Sequence, residues 1–317
     1  MRYLIAAGML LVTIGPLAAQ SYPNRPTTIV LTTPAGNPVD LAARFMGERV
    51  KEKTGQSWVI DNKPGAQGSI AAKAAAIAKP DGYTAFVCPS GALSANQFLQ
   101  KTLNYDPNKD FQLVARLFKI DFALMVNQEK TPVATVAELT TFLKAKPNKV
   151  SYGYFSASMQ ALGAQYVHLA GITASPTAYR NPQQMMGELE AGDFDFSFTS
   201  VDNAGRPNSK LRTLAIASEN RSALFPNLPT QTEAGLGNAL PLYAWFGFCF
   251  PAGTPDVAAK TLAPLLLEIA KSDGFRDFLK NMSAEPFPGD AADLEKTRNQ
   301  SSKDWEYFIN LAKIQAE

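Results

Sequence analysis

The single histidine of the chain, His168, limits the nucleophilic and metal chemistry that the sequence could support. Ser156 and Ser158 precede it at the start of a predicted helix, and a rise of about 1.5 Å per residue separates serine from histidine by roughly 15 to 18 Å. That distance is too long for a nucleophile and its general base. His168 also lies off the apolar stripe of this helix, so we expect it at the surface or at the helix end.

Other residues that could do chemistry lack the partners that this chemistry needs. One histidine and two cysteines cannot form a zinc site with catalytic spacing, and "CPSGA" lacks the leading glycine of a nucleophile elbow. Gly65 and Gly68 precede a helix, but no dinucleotide-binding or Walker pattern accompanies them. Asp193 and Asp195 resemble paired carboxylates, although solvation at the entry of a strand explains them better. The sequence therefore predicts no enzyme, no metal site and no cofactor.

Several predicted strands end in small or polar residues directly before a helix. Four such loops cover residues 34–40, 89–94, 153–160 and 178–182, and a fifth strand ends at residues 200–203. Ligands of open α/β sheets lie beyond the carboxyl ends of the strands, where helix N-termini present free N–H groups. Since "PAGNPVD" (34–40) holds no nucleophile, these loops predict a pocket for a small anion such as a carboxylate.

The elements that must position these loops alternate between strand and helix along the chain. Strands are predicted at residues 27–33, 57–62, 83–88, 121–127, 149–155, 173–179, 194–200, 211–218 and 243–250. Helices are predicted at residues 38–53, 69–78, 136–145, 158–170, 182–191, 255–271, 273–282 and 290–314. Asn37 before Pro38, and Thr135 three residues before Glu138, are typical helix N-termini. Apolar strands alternating with helices indicate an α/β fold with parallel sheets covered on both faces.

The N-terminus has the pattern of a secretory signal peptide. Arg2 precedes an apolar run over about residues 4–17, and Ala19 and Ser21 fit cleavage after Ser21, with cleavage after Ala19 as the alternative. A membrane anchor is the weaker interpretation because the run is short. We therefore expect residues 1–21 to be removed and the mature protein to lie in an extracytoplasmic space.

Charge and cysteine content limit the partners and the cross-links. The chain has 30 basic and 28 acidic residues, and loss of Arg2 with the leader leaves 29 against 28, a net charge of +1. Basic and acidic residues are interleaved without a basic run, which argues against nucleic acid as a partner.

Cys88 and Cys249 could form one disulfide bond or remain thiols. Two buried free thiols are the favoured expectation, because sequence alone does not place them within bonding distance.

At the level of motifs, the mature chain resembles the Bug-type extracytoplasmic solute receptors of tripartite tricarboxylate transport systems. The resemblance rests on segments in the expected order, namely "YPNRPTTIVL", "DNKPGAQGSIAAKAAAIAKPDGYTAFVCPSG", "YDPNKDF", "TVAEL", "FPNLPTQTEAGL" and "WFGFCFPAGTP". Each segment is weak evidence when taken alone. Their order over the whole mature chain makes the resemblance specific.

The resemblance implies a two-domain periplasmic-binding-protein (Venus flytrap) fold, with two mainly parallel sheets flanked by helices and a ligand cleft between the domains. Residues 22–121 and 246–317 would form domain 1, and residues 122–245 domain 2. The implied function is capture of a small organic acid in the periplasm for a tripartite tricarboxylate-type transporter. The protein would be a monomer that contacts membrane permease subunits and catalyses nothing. The alternatives are a receptor feeding a sensor kinase, a secreted enzyme acting on carboxylates, and a purely structural secreted protein.

By the same resemblance, the ligand contacts fall on the loops that follow the strands. The implied contact residues are Ala35, Gly36, Asn37, Asp40, Ser90, Gly91, Tyr154, Ser156, Ala157, Ser158, Tyr179, Arg180 and Asp202. Arg180 could pair with a distal carboxylate of the ligand. Tyr154 and Phe155 stand where the family commonly has a Gly-rich stretch, so with Tyr179 they suggest an aromatic or otherwise bulky carboxylate. The alternative is that these rings only pack at a strand end.

Overall fold

The computed structural model describes residues 22–146, 149–179, 182–203 and 209–316, and for Pro182 and Asp202 only the backbone. The predicted signal peptide, residues 1–21, lies outside these ranges. No helix within them combines the length and the apolar character that crossing a membrane requires.

Strands and helices alternate through the described residues, as the sequence predicts. The strands are β1 (Thr27–Leu31), β2 (Trp58–Asn62), β3 (Thr84–Pro89), β4 (Phe111–Asn127), β5 (Ser151–Tyr154), β6 (Ser175–Ala178), β7 (Ser197–Ser200), β8 (Leu211–Ile216), β9 (Tyr243–Pro251) and β10 (Glu285–Gly289). The helices are α1 (Pro38–Thr54), α2 (Ser69–Ala76), α3 (Asn96–Leu99), α4 (Val136–Lys144), α5 (Ala157–Ala170), α6 (Pro182–Ala191), α7 (Asp256–Lys271), α8 (Asp273–Lys280) and α9 (Ala291–Ala312).

Strand β4 takes part in the sheets of both domains. In the first domain the strand order is β10-β4-β9-β3-β1-β2. The pairing of β4 with β9 ends at Asp121, which lies opposite Tyr243. From Phe122 onward β4 pairs instead with β7 and β8 in the second domain. The division of the chain at residues 121 and 245 stays a prediction, whereas the change of partners along β4 is a feature of the fold.

The two-domain α/β architecture is confirmed, and its sheets are mixed. Strands β1, β2 and β3 run parallel, as do β5 and β6. The predicted predominance of parallel pairs does not extend to β4, β9 and β10, whose pairs are antiparallel. The physical reason is that an apolar run buried on both faces reveals its burial but not its direction relative to its neighbours.

Each domain buries apolar side chains on both faces of its sheet. In the first domain, Ile29 and Phe248 belong to one cluster, and Phe86 on the opposite face belongs to another. In the second domain, Phe196 and Met125 belong to two separate clusters. Burial on both faces is why the strands read as near-continuous apolar runs in the sequence.

Two strand segments escaped the sequence prediction for local reasons. Strand β4 begins at Phe111, ahead of the predicted start at residue 121. Its register shifts between Leu113 and Ala115 and again between Arg116 and Phe118. Such bulges break the two-residue alternation by which strands are recognised. Strand β10 has the sequence "EPFPG", and its two prolines fit only an edge strand.

Cys88 and Cys249 form a disulfide bond, and the expectation of two free thiols was wrong. Both residues are fully buried, on the neighbouring antiparallel strands β3 and β9. Gly247 lies opposite Cys88, so the two cysteines are diagonal neighbours with their Cα atoms 6.1 Å apart. Sequence could not supply this pairing, because 161 residues separate the cysteines along the chain.

Asp40 organises the loop between β1 and α1. Its carboxylate accepts hydrogen bonds from the Gly36 N–H (2.9 Å), the Asn62 amide (3.1 Å) and two Arg44 nitrogens (2.9 and 3.0 Å). Burial favours the neutral acid, but these hydrogen bonds outweigh burial and lower the pKa of Asp40. The side chain of Asn37 caps α1 by accepting from the Val39 N–H, as the sequence predicts.

Removing the disulfide should destabilise the protein without changing its fold. A Cys88→Ala/Cys249→Ala variant should lose about 3–5 kcal/mol of unfolding free energy, because the bond closes a loop of 161 residues in the unfolded chain. Urea unfolding of the oxidised protein, the reduced protein and the variant measures this. Equal midpoints for the three samples would contradict the cross-link.

Replacing Asp40 should cost stability in a pH-dependent way. Because folding lowers its pKa, the carboxylate stabilises the fold above its unfolded pKa, about 3.9, and this contribution disappears as the pH falls through the folded value. Asp40→Asn should therefore be about 1–3 kcal/mol less stable than the wild type at pH 7. The deficit should shrink below about pH 4. Asp256→Asn, at an exposed site, is the matched control. A deficit that is the same at pH 7 and pH 3 would show that the ionised carboxylate is not the cause.

Candidate functional site

A cavity of about 790 Å³ lies between the two domains. Its walls come from the loops around α2, α3 and α5, from the start of β9 and from the end of α9. The lining residues are Gln67, Ser90, Gly91, Ala95, Asn96, Leu99, Tyr154, Phe155, Ser156, Ala157, Ser158, Gln160, Ala178, Tyr179, Leu242, Tyr243, Trp305, Lys313, Ile314 and Gln315.

The second domain contributes the N-terminus of α5 to this cavity. Ser156 is the N-cap residue, and its hydroxyl accepts a hydrogen bond from the Met159 N–H (3.4 Å). Ala157 and Ser158 begin the helix, so their N–H groups have no acceptor within it. Both residues line the cavity. The positive end of the helix dipole therefore faces the space between the domains.

The first domain contributes a second helical start and a tightly held loop. Ser90 and Gly91 precede α3 at a π-helical turn over residues 91–95. The buried Asn96 donates from its amide nitrogen to the carbonyl of Gln67 (3.1 Å) and contacts the hydroxyls of Ser69 and Tyr105. Gln67 itself has a φ of 51°, a left-handed conformation that non-glycine residues rarely adopt. Asn96 thus fixes the position of Gln67 at the cavity wall.

Aromatic rings form much of the remaining wall. Tyr154, Phe155, Tyr179, Tyr243 and Trp305 all line the cavity. The Tyr179 hydroxyl donates to Glu188 on α6, which fixes the ring at the end of β6. Burial and, to a smaller extent, the Glu188 carboxylate raise the pKa of Tyr179 to about 12, so the hydroxyl is neutral at physiological pH. The wall therefore offers flat apolar faces together with neutral polar groups.

The described part of the cavity wall carries a positive charge. Among the lining residues that the structure describes, none is acidic and Lys313 is the one charged side chain. The hydroxyls of Ser90, Tyr154 and Ser158 make no hydrogen bond to another described residue. No group of three or more His, Cys, Asp or Glu side chains in the described ranges could hold a metal ion. This combination of free donors and positive charge suits a small anion.

The cavity brings together just over half of the residues implied by the sequence. Those that line it are Ser90, Gly91, Tyr154, Ser156, Ala157, Ser158 and Tyr179. Ala35, Gly36, Asn37 and Asp40 do not line it, and the N–H groups of Gly36 and Asn37 bond to Asp40 and Pro34 inside their own loop. Asp202 belongs to the turn Val201–Asn203, and its side chain, like the whole of Arg180, is outside the described part of the chain.

Sequence reasoning missed several of the lining residues. Gln67 lies between Gly65 and Gly68, in a segment that contributes to the family resemblance but has no feature that indicates a ligand contact. Tyr243, Trp305 and the segment after α9 had no local signal, because the cavity acquires them only through packing of distant parts of the chain.

Known proteins of similar sequence identify the family to which the chain belongs. Residues 42–314 match the model of the tripartite tricarboxylate transporter family receptor. A UPF0065 protein of Bordetella bronchiseptica is 30% identical over 99% of this chain and 93% of its own length. Protein BugT of Bordetella pertussis is 29% identical over 80% of this chain and 79% of its own length.

The fold also matches a solved structure with a bound acid. R. palustris Rpa4515 with adipate superposes with a TM-score of 0.80 at 27% identity, over 94% of this chain and 100% of that one. The family match covers most of the chain, in agreement with the motifs quoted above. The chain belongs to the tripartite tricarboxylate transporter receptor family, the family of the Bug-type solute receptors.

Proposed function

We propose that this protein is a periplasmic solute-binding protein that captures a small organic acid in the cavity between its domains. The observation that carries the proposal is the N-terminus of α5. There, the N–H groups of Ala157 and Ser158 lack intrahelical acceptors at a wall without acidic side chains among its described residues. The bound acid in R. palustris Rpa4515 supports the same ligand class.

A carboxylate at this helix end would gain hydrogen bonds and favourable electrostatics together. Its oxygens can accept from the two free N–H groups, and the helix dipole favours a negative charge at this position. The free hydroxyl of Ser90 on the opposite wall is available for the same anion. Contacts from both domains to one ligand favour the closed arrangement, because only that arrangement makes all of them.

The aromatic wall supports an acid with a bulky or aromatic body. Tyr154, Phe155 and Tyr179 lie beside the α5 N-terminus, and Tyr243 and Trp305 line the same cavity. Offset or edge-to-face packing of these rings against an aromatic ligand would add to the burial of its apolar surface. A compact, fully hydroxylated acid would leave these faces without an apolar partner.

We further propose that domain 1 comprises residues 22–121 and 246–317 and domain 2 comprises residues 122–245, with closure about the crossing of β4. The change of partners between Asp121 and Phe122 supports this division. After closure, a monomer would deliver its ligand to the membrane permease subunits of a tripartite tricarboxylate-type transporter.

Loop 34–40 would shape the first domain without a ligand contact by Asp40. The Asp40 carboxylate is 1% exposed, and it already accepts hydrogen bonds from neighbouring residues. Ligand contacts by Arg180 and Asp202 stay predictions.

A thermal-shift screen tests the ligand class directly. The mature protein is unfolded and refolded to remove co-purified ligand, and then heated with mono-, di-, tri- and aromatic carboxylates, with amino acids and sugars as controls. A ligand at 100 times its dissociation constant should stabilise the fold by about 2.7 kcal/mol. Stabilisation by sugars alone, or by no carboxylate, would contradict the proposal. If NMR spectra show that the added acid is converted to another compound over time, the protein would be an enzyme instead.

A substitution at the first residue of α5 isolates the role of the backbone. Proline is well tolerated at this position, and the extended conformation of Ser156 is compatible with a following proline. Ala157→Pro should therefore fold normally but lose one N–H donor, weakening carboxylate binding by about 1–3 kcal/mol. Ala157→Val adds similar bulk and keeps the N–H, so it is the matched control. Calorimetric titration measures the carboxylate affinity of both variants. Equal affinities would contradict the role of the Ala157 N–H group.

A further inference from the structure

The cavity contains a positive charge in the last segment of the chain. Lys313 follows the last turn of α9, and Ile314 and Gln315 line the cavity beside it. Within the described residues Lys313 takes part in no ion pair, and no acidic side chain shares the cavity wall with it. Its ammonium group is therefore available to an anion that enters between the domains.

The backbone at Lys313 directs the chain end into the cavity wall. Lys313 has a φ of 50°, in the left-handed region that favours glycine at helix ends. Its N–H and that of Ile314 both donate to the Ile309 carbonyl, which ends the helix. A lysine therefore stands at a position where glycine would be less strained, at the edge of a cavity that lacks any other described charge.

Packing holds this segment against the second domain. Trp305 and Phe308, both nearly fully buried, belong to the apolar cluster of that domain, and Ile314 packs against the same cluster. The long side chain of Lys313 therefore extends from a backbone segment that packing holds in place. The N-terminus of α5, the proposed site of the first carboxylate, lines the same cavity.

We propose that Lys313 is a specificity-determining residue, which pairs with a second anionic group at the far end of a ligand whose first carboxylate lies at the N-terminus of α5. The inference rests on the function proposed above. The rings of Tyr154, Phe155 and Trp305 would contact the apolar spacer between the two acidic groups. The C-terminal segment would thereby distinguish dicarboxylates from monocarboxylates of the same length.

The test compares matched acids with matched variants. Calorimetric titrations of the full mature chain use α,ω-dicarboxylates of three to ten carbons and terephthalate, each beside the monocarboxylate of the same skeleton. Lys313→Gln should weaken the preferred dicarboxylate roughly three- to tenfold and its monocarboxylate less than about twofold. Lys313→Arg should retain most of the dicarboxylate affinity, because it preserves the charge. Lys303→Gln is the control, since it removes an exposed positive charge from the same helix away from this cavity.

Ionic strength provides an independent readout. The dicarboxylate affinity of the wild type should fall more steeply with added salt than that of Lys313→Gln, because the variant lacks the exposed ion pair that salt screens. Equal salt slopes, or equal losses for the two acids of a pair, would overturn the role of Lys313. A wild type that binds its monocarboxylates as tightly as its dicarboxylates would overturn it as well.

The outcomes separate this inference from the function on which it rests. If the wild type binds no acid in any pair, both proposals fail. If it binds dicarboxylates and Lys313→Gln behaves like Lys303→Gln, only the role of Lys313 fails. Loss of dicarboxylate selectivity in Arg180→Gln, with none in Lys313→Gln, would assign the second anionic group to Arg180 instead.

Discussion

The continuous backbone of strand β4 is the constraint on which the two-domain arrangement depends. Up to Asp121 its hydrogen bonds are made with β9, and from Phe122 they are made with β7 and β8. Closure of the domains, as proposed above, would have to bend the chain at this crossing if both ladders stay intact. Asp121 is 2% exposed, and Lys119 donates to both of its oxygens at 2.8 and 2.7 Å. Burial raises the pKa of Asp121, and the adjacent ammonium group opposes that shift.

Helix α9 makes a second link between the domains and completes the cavity. Leu294 near its start is buried in the first domain, whereas Trp305 and Phe308 near its end are buried in the second. Its C-terminal end therefore lies beside the N-terminus of α5 at the cavity wall. The donors at the cavity include the backbone N–H groups of Ala157 and Ser158, the hydroxyl of Ser90 and the ammonium group of Lys313, and none of them needs a histidine to bind an anion. This explains how a site can be well formed in a chain with one exposed histidine.

The elements that sequence predicts well are those whose signals are local. Helix α1 has its N-cap at Asn37 and its left-handed C-terminal glycine at Gly55, so both of its ends are encoded within a few residues. The first half of β4 was missed because its bulges disrupt alternation, and β10 was missed because of its prolines. The disulfide was missed for a different reason. Cys88 and Cys249 become neighbours only when β9 inserts between β3 and β4.

The sequence by itself determined the family, the fold class and a helix start in the segment of Ser156 and Ser158, because motifs and capping residues are contiguous along the chain, whereas the structure placed the N-cap at Ser156. It also identified loop 34–40 by its cap, but not that Asp40 would turn inward and occupy the Gly36 N–H. Only the tertiary structure decided which groups share the cavity. Trp305 and Lys313 meet the loops of residues 67 and 157 through packing between parts of the chain that are 148 to 246 positions apart. Such contacts depend on how the domains fit together, and no local pattern of residues encodes that fit.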